Sequence, residues 1–330
     1  MSELRWNPIA REWVVTATHR QDRTFFPPPG FCPLCPTQEG GFPTEIPLPA
    51  YDIVVFENKF PSFRLPPPEP AVPDGDLFHV MPAEGVCEVV CYTSDHNATL
   101  AQCSVDQISK LVGVWRERYV DLGSRPEVSY VFIFENKGEA IGVTLPHPHG
   151  QIYAFSYLPP KIERELQSGN DHHRKTGRCL HCDVIAEERV DGRRIVAESE
   201  HFIAFVPFYA RYPYELHIYA KGHLESMADF TPVQERDLAR ILKAVLQKFD
   251  NLWEMSFPYM MVMHQKPTDG QDHPGSHFHI EFYPPHRTKE KLKFLAGCES
   301  GAGTFINDTL PEDKAQELRG LAPQLQEVAP

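Results

Sequence analysis

One order of features occurs twice along this 330-residue chain, and a duplication on that scale constrains the fold before any other property is weighed. The first pass runs Cys32-Pro-Leu-Cys35, YDIVVFENKFPSF (51–63), CEVVCYTSDH ending at His96, a helix opening at Ser104, the strand SYVFIF, and His147-Pro-His149. The second runs Cys179-Leu-His-Cys182, RRIVAESEHFIAFVPF (193–208), YELHIYAKGH ending at His223, a helix opening at Thr231, the strand PYMMVM, and His277-Phe-His279. The spacing repeats as well. Ser104 and Thr231 each follow a histidine by eight residues, and the paired histidines begin 51 and 54 residues after His96 and His223.

Each unit reads as α+β. Segments such as DIVVF, EVVCYT, YVFIF and QIYAFSY carry the alternation and β-branched content of antiparallel strands. Helices are expected over about 105–121 and 232–251, where apolar residues recur at helical spacing (Ile108, Leu111, Val112, Trp115; Leu238, Ile241, Leu242, Val245). Both open on a capping-box pattern, Ser104-x-x-Gln107 and Thr231-x-x-Gln234, the second with Pro232 in the first turn. A third helix is expected over about 311–321. The proline-rich stretches 27–29 and 66–73 read as loops. The polar stretch QSGNDHHRKTG (167–177) reads as the junction, so the expected units are 1–168 and 169–330, each an antiparallel half-barrel sheet flanked by helices.

Charge narrows the partners. With 32 basic against 45 acidic residues the net charge is −13, which lacks the positive field a phosphate backbone requires and excludes nucleic acid. No run of about 18 apolar residues offers a membrane span, and MSELRWNP has no apolar segment of a signal peptide. A cytoplasmic location is expected. In that compartment close cysteine pairs mean metal or redox chemistry rather than structural disulfides.

Two thiolates and two distant imidazoles make a tetrahedral zinc set. For the first unit these are Cys32, Cys35, His96 and His147, and for the second Cys179, Cys182, His223 and His277. The rival reading, a thioredoxin-type redox pair, expects a strand-to-helix turn, whereas Cys32 and Cys35 lie among prolines. Cys87, Cys91, Cys103 and Cys298 lack such spacing and read as small buried hydrophobes. His172, His173 and His181 read as solvated.

The richest string is Asn136-Lys-Gly-Glu-Ala-Ile-Gly-Val-Thr144-Leu-Pro-His147-Pro-His149-Gly150-Gln151. In an extended segment the two histidines point the same way. One can serve a metal while the other stays free as a nucleophile, forming a phosphoramidate that conserves transfer potential. Gly150 leaves room for something bulky. Gln151 and Thr144 can donate to phosphoryl oxygens, and Arg20-Gln-Asp-Arg23 offers two forked donors. His149 as a second metal ligand, or as a core histidine, remains open on residue chemistry alone.

With these residues in place, His147-Pro-His149-Gly-Gln151 after Asn136-Lys-Gly resembles the active-site segment of the galactose-1-phosphate uridylyltransferase family, a branch of the histidine-triad superfamily. The likeness spans roughly residues 1–321 and includes FENKFPSF, SHFHIEFYPP (276–285) and KFLAGCESGAG (293–303). The resemblance implies duplicated histidine-triad-like units and a ping-pong exchange through a uridylyl-His149 intermediate. UDP-glucose and galactose 1-phosphate would give glucose 1-phosphate and UDP-galactose. It implies that Gln151 and Thr144 hold the phosphoryl group, that Arg20, Arg23, Asn58 and Asn136 contact phosphate or nucleotide, and that Lys293, Phe294 and Glu299 surround the nucleotide sugar. It implies zinc in the first set and a homodimer whose sites borrow residues from the partner subunit.

The family's second metal, zinc or iron, is held by a glutamate and three histidines, matched here by Glu165, His264, His277 and His279. The extra pair Cys179 and Cys182 points instead to Cys179, Cys182, His223 and His277. Relatives with a second cysteine pair include ADP-glucose-type phosphorylases. That activity, or a histidine-triad nucleotide hydrolase, is the alternative function, although Gln151 where hydrolases carry a third histidine favours transfer.

Overall fold

The computed structural model describes residues 2–22, 27–28 and 30–322. In chain order the elements are β1 (Ser2–Asn7), β2 (Glu12–Ala17), β3 (Val54–Glu57), β4 (Val80–Pro82), β5 (Gly85–Cys91), α1 (Val105–Gly123), β6 (Tyr130–Lys137), β7 (His149–Phe155), α2 (Pro160–Thr176), α3 (Leu180–Asp191), β8 (Ile195–Glu198), β9 (Phe202–Phe205), β10 (Leu216–Ala220), α4 (Pro232–Leu252), β11 (Tyr259–His264) and β12 (His279–Tyr283). The short strands β13 (His286–Thr288) and β14 (Lys291–Leu292) and the helices α5 (Gly297–Ala302) and α6 (Pro311–Gly320) follow. Among the described residues no helix is long and apolar enough to cross a membrane.

Nine strands form one open antiparallel sheet in the order β3-β5-β7-β6-β11-β12-β10-β9-β8. The order is a palindrome of the repeat. Equivalent strands β6 and β11 meet at the centre, with Phe134 opposite its own counterpart Val262, so the halves are related by an approximate two-fold through that pair. The ladders fix the equivalences. Cys91 lies across from His149, and Tyr219 lies across from His279.

One face carries the main core. Helices α1 and α4 lay Ile108, Leu111, Val112 and Trp115, with Leu238, Ile241, Leu242 and Val245, against Val90, Ile133, Ile152, Ile218, Met261 and Ile280. Every one of these helix positions was predicted from periodicity, and each fully buried aliphatic side chain stabilises the layer by about 2 kcal/mol. Ser104 caps α1 by accepting from the Gln107 amide. The reciprocal half of the expected capping box is absent there, because the Gln107 side chain donates to the carbonyls of Asp52 and Tyr92. Thr231 and Gln234 complete theirs.

The opposite face decides where a site can open. On it α2 and α3 cover the seam and the second half, with Ile162 and Leu166 packed on Tyr130 of β6 and Ile185 on Ile203, Phe205 and Tyr219. Over the first half, the β1-β2-β4 sheet covers the far end through Leu4, Phe63, Ala83 and Cys87, and the loop carrying Leu34 and Ile46 packs on Val89 and Cys91. The expected junction loop 167–177 is a correction: residues 167–176 belong to α2 and Gly177 ends it at φ +73. Its inward face is polar, which hid it from a hydrophobic pattern. At Gly169 the helix backbone rests on Gly275, where a Cβ would lie 2.9 Å from the Gly275 carbonyl oxygen.

Candidate active site and metal centres

Alternation along β7 sends His149, Gln151 and Tyr153 to the uncovered face. His149 Nδ1 lies 2.7 Å from its neighbour's carbonyl, His147 O, and a carbonyl only accepts. Nδ1 therefore carries the proton, and Nε2 keeps its lone pair. Two adjoining cavities border that imidazole. One, of about 320 Å³, is lined by Leu34, Thr44, Phe56, Asn58, Phe60, Val89, Thr144, His149 and Gln151 among others. The other, of about 180 Å³, is lined by Arg20, Phe134, Asn136, Gly142, Thr144, His149, Gln151 and Tyr153 among others.

Supporting contacts hold this group. Asn58 Nδ2 donates to Gln151 Oε1 at 3.1 Å, which leaves the Gln151 amide nitrogen free of that bond and able to donate into the cavity. Arg20 donates to Ser62 Oγ at 2.5 Å and to the Tyr153 hydroxyl at 3.4 Å. The structure thus brings Arg20, Asn58, Asn136, Thr144, His149 and Gln151 together, while Arg23 lies outside the described residues. Ser62 and Tyr153 escaped sequence reasoning. Tyr153 was reachable, since it shares the strand face of His149 and Gln151. Lys293, Phe294 and Glu299 line neither cavity. Lys293 instead pairs with Glu299 at 3.2 Å, and Phe294 is 75% exposed.

Both cysteine-histidine sets are assembled. Cys32, Cys35, His96 and His147 bring one donor atom each to within 4.8 Å of one another, as do Cys179, Cys182, His223 and His277. His147 turns Nδ1 toward Cys35 Sγ and places Nε2 2.8 Å from Thr93 O and 2.7 Å from the Tyr51 hydroxyl. His277 repeats this with Nδ1 toward both thiols and Nε2 2.7 Å from Ala220 O. A ligand imidazole whose outer nitrogen is anchored to a carbonyl is the arrangement that metal sites use. Burial and the neighbouring Cys32 push the Cys35 thiol up to about 11. Hydrogen bonds from Cys182 and His277 draw the Cys179 thiol down, and Cys182 is pushed up in return. Two thiols sharing one proton suit a cation that replaces it.

The alternative second set does not come together as expected. His277 is committed to the cysteine group, and Glu165, His264 and His279 cluster with Glu281 instead. His264 Nδ1 lies 2.6 Å from Glu165, while Lys161 contacts Glu165 at 3.5 Å and also contacts Glu281. His181 is a further correction. It is not solvated but stacks on the His277 ring at 5.7 Å, lies tilted 5.0 Å from the His279 ring and contacts Tyr219, and burial pushes its pKa down to about 4. Cys87 and Cys91 are buried as expected, whereas Cys103 and Cys298 are partly exposed.

The duplication also shows which half can react. By the ladders, His279, Glu281 and His264 take the places of His149, Gln151 and Asn136. His279 is 3% exposed and lies under the Tyr219 ring at 4.6 Å, and α2 closes over it through Glu165. Among the described residues, His149 borders cavities of about 320 and 180 Å³, whereas His279 meets one of only about 20 Å³.

An imidazole bordering two cavities, on one half of a duplicated antiparallel sheet, points to a class of transferases, and histidine can take a transferred group covalently. Residues 1–159 match the N-terminal domain, and residues 165–329 the C-terminal domain, of galactose-1-phosphate uridyl transferase. The chain belongs to the galactose-1-phosphate uridylyltransferase family. It is 43% identical over 320 residues to the galactose-1-phosphate uridylyltransferase of Thermotoga maritima, covering 97% of this chain and 98% of that one. Among solved structures, a uridylyltransferase superposes with a TM-score of 0.85 at 34% identity, covering 96% and 97% of the two chains. An ADP-glucose phosphorylase from Arabidopsis thaliana superposes with a TM-score of 0.74 at 25% identity, covering 98% and 99%.

Proposed function

We propose that this protein is a uridylyltransferase that exchanges UMP between hexose 1-phosphates, converting UDP-glucose and galactose 1-phosphate into glucose 1-phosphate and UDP-galactose. The observation that carries the reading is the His149 imidazole, with Nδ1 bonded to the His147 carbonyl and its ring bordering both cavities. Nε2 attacks the α-phosphorus of UDP-glucose. Its lone pair forms the N–P bond as the P–O bond to glucose 1-phosphate breaks, and the oxygen pair leaves with that product. The imidazole in the uridylyl adduct keeps its Nδ1 proton on the His147 carbonyl, so its positive charge is balanced locally. Galactose 1-phosphate then attacks the same phosphorus and releases His149.

Arg20, Asn136, Gln151 and Thr144 are the groups proposed to meet the charge that grows on the phosphoryl oxygens. The larger cavity, with Leu34, Phe56, Phe60 and Val89 in its walls and Asn58 at its edge, suits a flat nucleobase. Cys32, Cys35, His96 and His147 would hold zinc, and Cys179, Cys182, His223 and His277 a second zinc or iron. A metal at the first set would fix the strand that carries His149. We further propose units 1–168 and 169–330, a homodimer in which the partner subunit supplies Lys293, Phe294 and Glu299, and a cytoplasmic setting that keeps both cysteine pairs reduced.

The test is intact-mass spectrometry after mixing the protein with UDP-glucose or ADP-glucose and no acceptor. An acid-labile uridylyl adduct on His149 is expected. An adenylyl adduct would move the protein to the phosphorylase reading, and no adduct with either would sink the covalent mechanism.

A further inference from the structure

The back of the catalytic strand holds three polar groups in an otherwise apolar layer. Gly150, between His149 and Gln151, faces the α1–α4 core, and a Cβ there would lie 2.1 Å from the Tyr92 hydroxyl. The glycine is therefore needed because the Tyr92 ring crosses behind the strand. Tyr92 also holds the segment by its backbone, donating its amide to Pro148 O at 3.1 Å. The ladder pairs Phe134 with Gln151, and its next step sets Glu135 opposite Gly150. Glu135 is 3% exposed, accepts from the Tyr259 hydroxyl at 3.2 Å, and keeps its second carboxylate oxygen without a hydrogen bond. The Tyr92 hydroxyl faces that carboxyl, and each shifts the other's ionisation.

The duplication supplies a control that the same molecule carries. At the matching places of the second half stand Ala220, Ile280 and Met263, all apolar and buried. The fold is satisfied there without any polar group. Burying a carboxyl instead has a cost, visible in the rise of its pKa to about 7. A costly group present only behind the reacting strand calls for a role in the reaction. We propose that Glu135, with Tyr92 and Tyr259, is a positioning residue that sets the distance between the His149 nucleophile and the phosphate-binding Asn136. It does so by joining β6 to β11 through the Tyr259 bond, while Tyr92, bonded to Pro148 through its backbone amide, packs behind Gly150 of β7. Asn136 is its chain neighbour and His149 is attached to the glycine beneath it, so any slip between β6 and β7 moves both groups of the site. A shift of about 1 Å in such an arrangement costs one to two powers of ten in rate.

This inference rests on the uridylyl-His149 reading, and the experiment separates the two. The rate of adduct formation with UDP-glucose is followed by quenched-flow mass spectrometry, beside half-saturation by UDP-glucose, metal content and thermal unfolding. Three proteins are compared: wild type, Glu135→Gln, and Glu135→Met combined with Tyr92→Phe, which copies the apolar character of the second half. The expected order is a Glu135→Gln rate within about threefold of wild type and a double-variant rate down about tenfold. Half-saturation and metal content should stay unchanged, and the unfolding midpoint should be equal to wild type or higher. A double variant that forms adduct at the wild-type rate overturns the proposal. So does one whose midpoint falls along with its rate, since that would make Glu135 merely structural. Absence of adduct in the wild type itself would instead remove the underlying reading, and this proposal with it.

Discussion

His149 and His279 descend from one position yet meet different neighbours across the sheet. Cys91 stands across from the first and leaves its ring uncovered, whereas Tyr219 stacks on the second. Replacing His149 by Ala should abolish the nucleotidyl adduct while leaving metal content unchanged, because its ring supplies no donor atom to the Cys32 set and meets only the backbone carbonyl of His147 there. Metal analysis beside the adduct assay checks this, and loss of metal in that variant would show that the two histidine roles are exchanged. Glu135 supports a second prediction. Its carboxyl ionises near 4.5 in the unfolded chain and, through burial, near 7 in the folded one. Lys137 and Tyr259 oppose that rise, and Asp250 adds to it. The folded state therefore holds this proton longer, and stability falls as pH rises from about 4.5 to about 7. Urea unfolding of Glu135→Gln against wild type should show the variant gaining relative stability between pH 5 and pH 8. A pH-independent difference would contradict it. At this scale the sequence was informative where residues repeat: His149, Gln151 and both cysteine sets stood out by spacing. Glu281 did not, because its contact with His264 and Lys161 is made by strand register and a helix that composition concealed.

Among the elements, the helices split by what their inner faces bury. The apolar stripes of α1 and α4 made both legible within a few residues. The stripe on α2 ends after Ile162 and Leu166, and its remaining inward contacts are Glu165 with His264 and the glycine contact with Gly275. A helix that docks through ion pairs and bare backbone has no hydrophobic period to read. Gly169→Ala would drive a Cβ to 2.9 Å from the Gly275 carbonyl and 3.2 Å from its Cα. Neither atom is free to swing aside, so the substitution should lower stability by about 1–3 kcal/mol despite the better helix propensity of alanine. Thermal unfolding of Gly169→Ala, beside an exposed control such as Gly320→Ala, measures it. The caps give a finer contrast. Thr231→Ala removes the hydroxyl of a reciprocal box and should cost about 1 kcal/mol. Ser104→Ala should cost less, since Gln107 remains anchored to Asp52 and Tyr92.

Across the whole molecule, the palindromic sheet places one open site and one closed counterpart on the same face, on either side of the β6–β11 seam. The closed counterpart lies under α2 and α3, whereas His149 borders two cavities. Lys293 and Phe294 lie outside the two cavities beside His149, although family resemblance assigns them to the sugar. These two facts meet if a second copy covers the first half and brings its own Lys293–Glu299 segment, in which Phe294 and Leu295 are exposed. The dimer then makes a quantitative prediction. His149→Ala lacks the nucleophile and Lys293→Ala lacks a group delivered to the neighbour, so each is expected to be nearly inactive alone. Dissociated and reassociated together, they give about half mixed dimers, each with one site that has both groups intact, and exchange activity returns to about a quarter of wild type. If each chain instead used its own Lys293, every site in the mixture would lack one group. Sizing chromatography with an exchange assay, before and after reassociation, distinguishes the two arrangements, because only residues shared across subunits allow two inactive chains to restore one another.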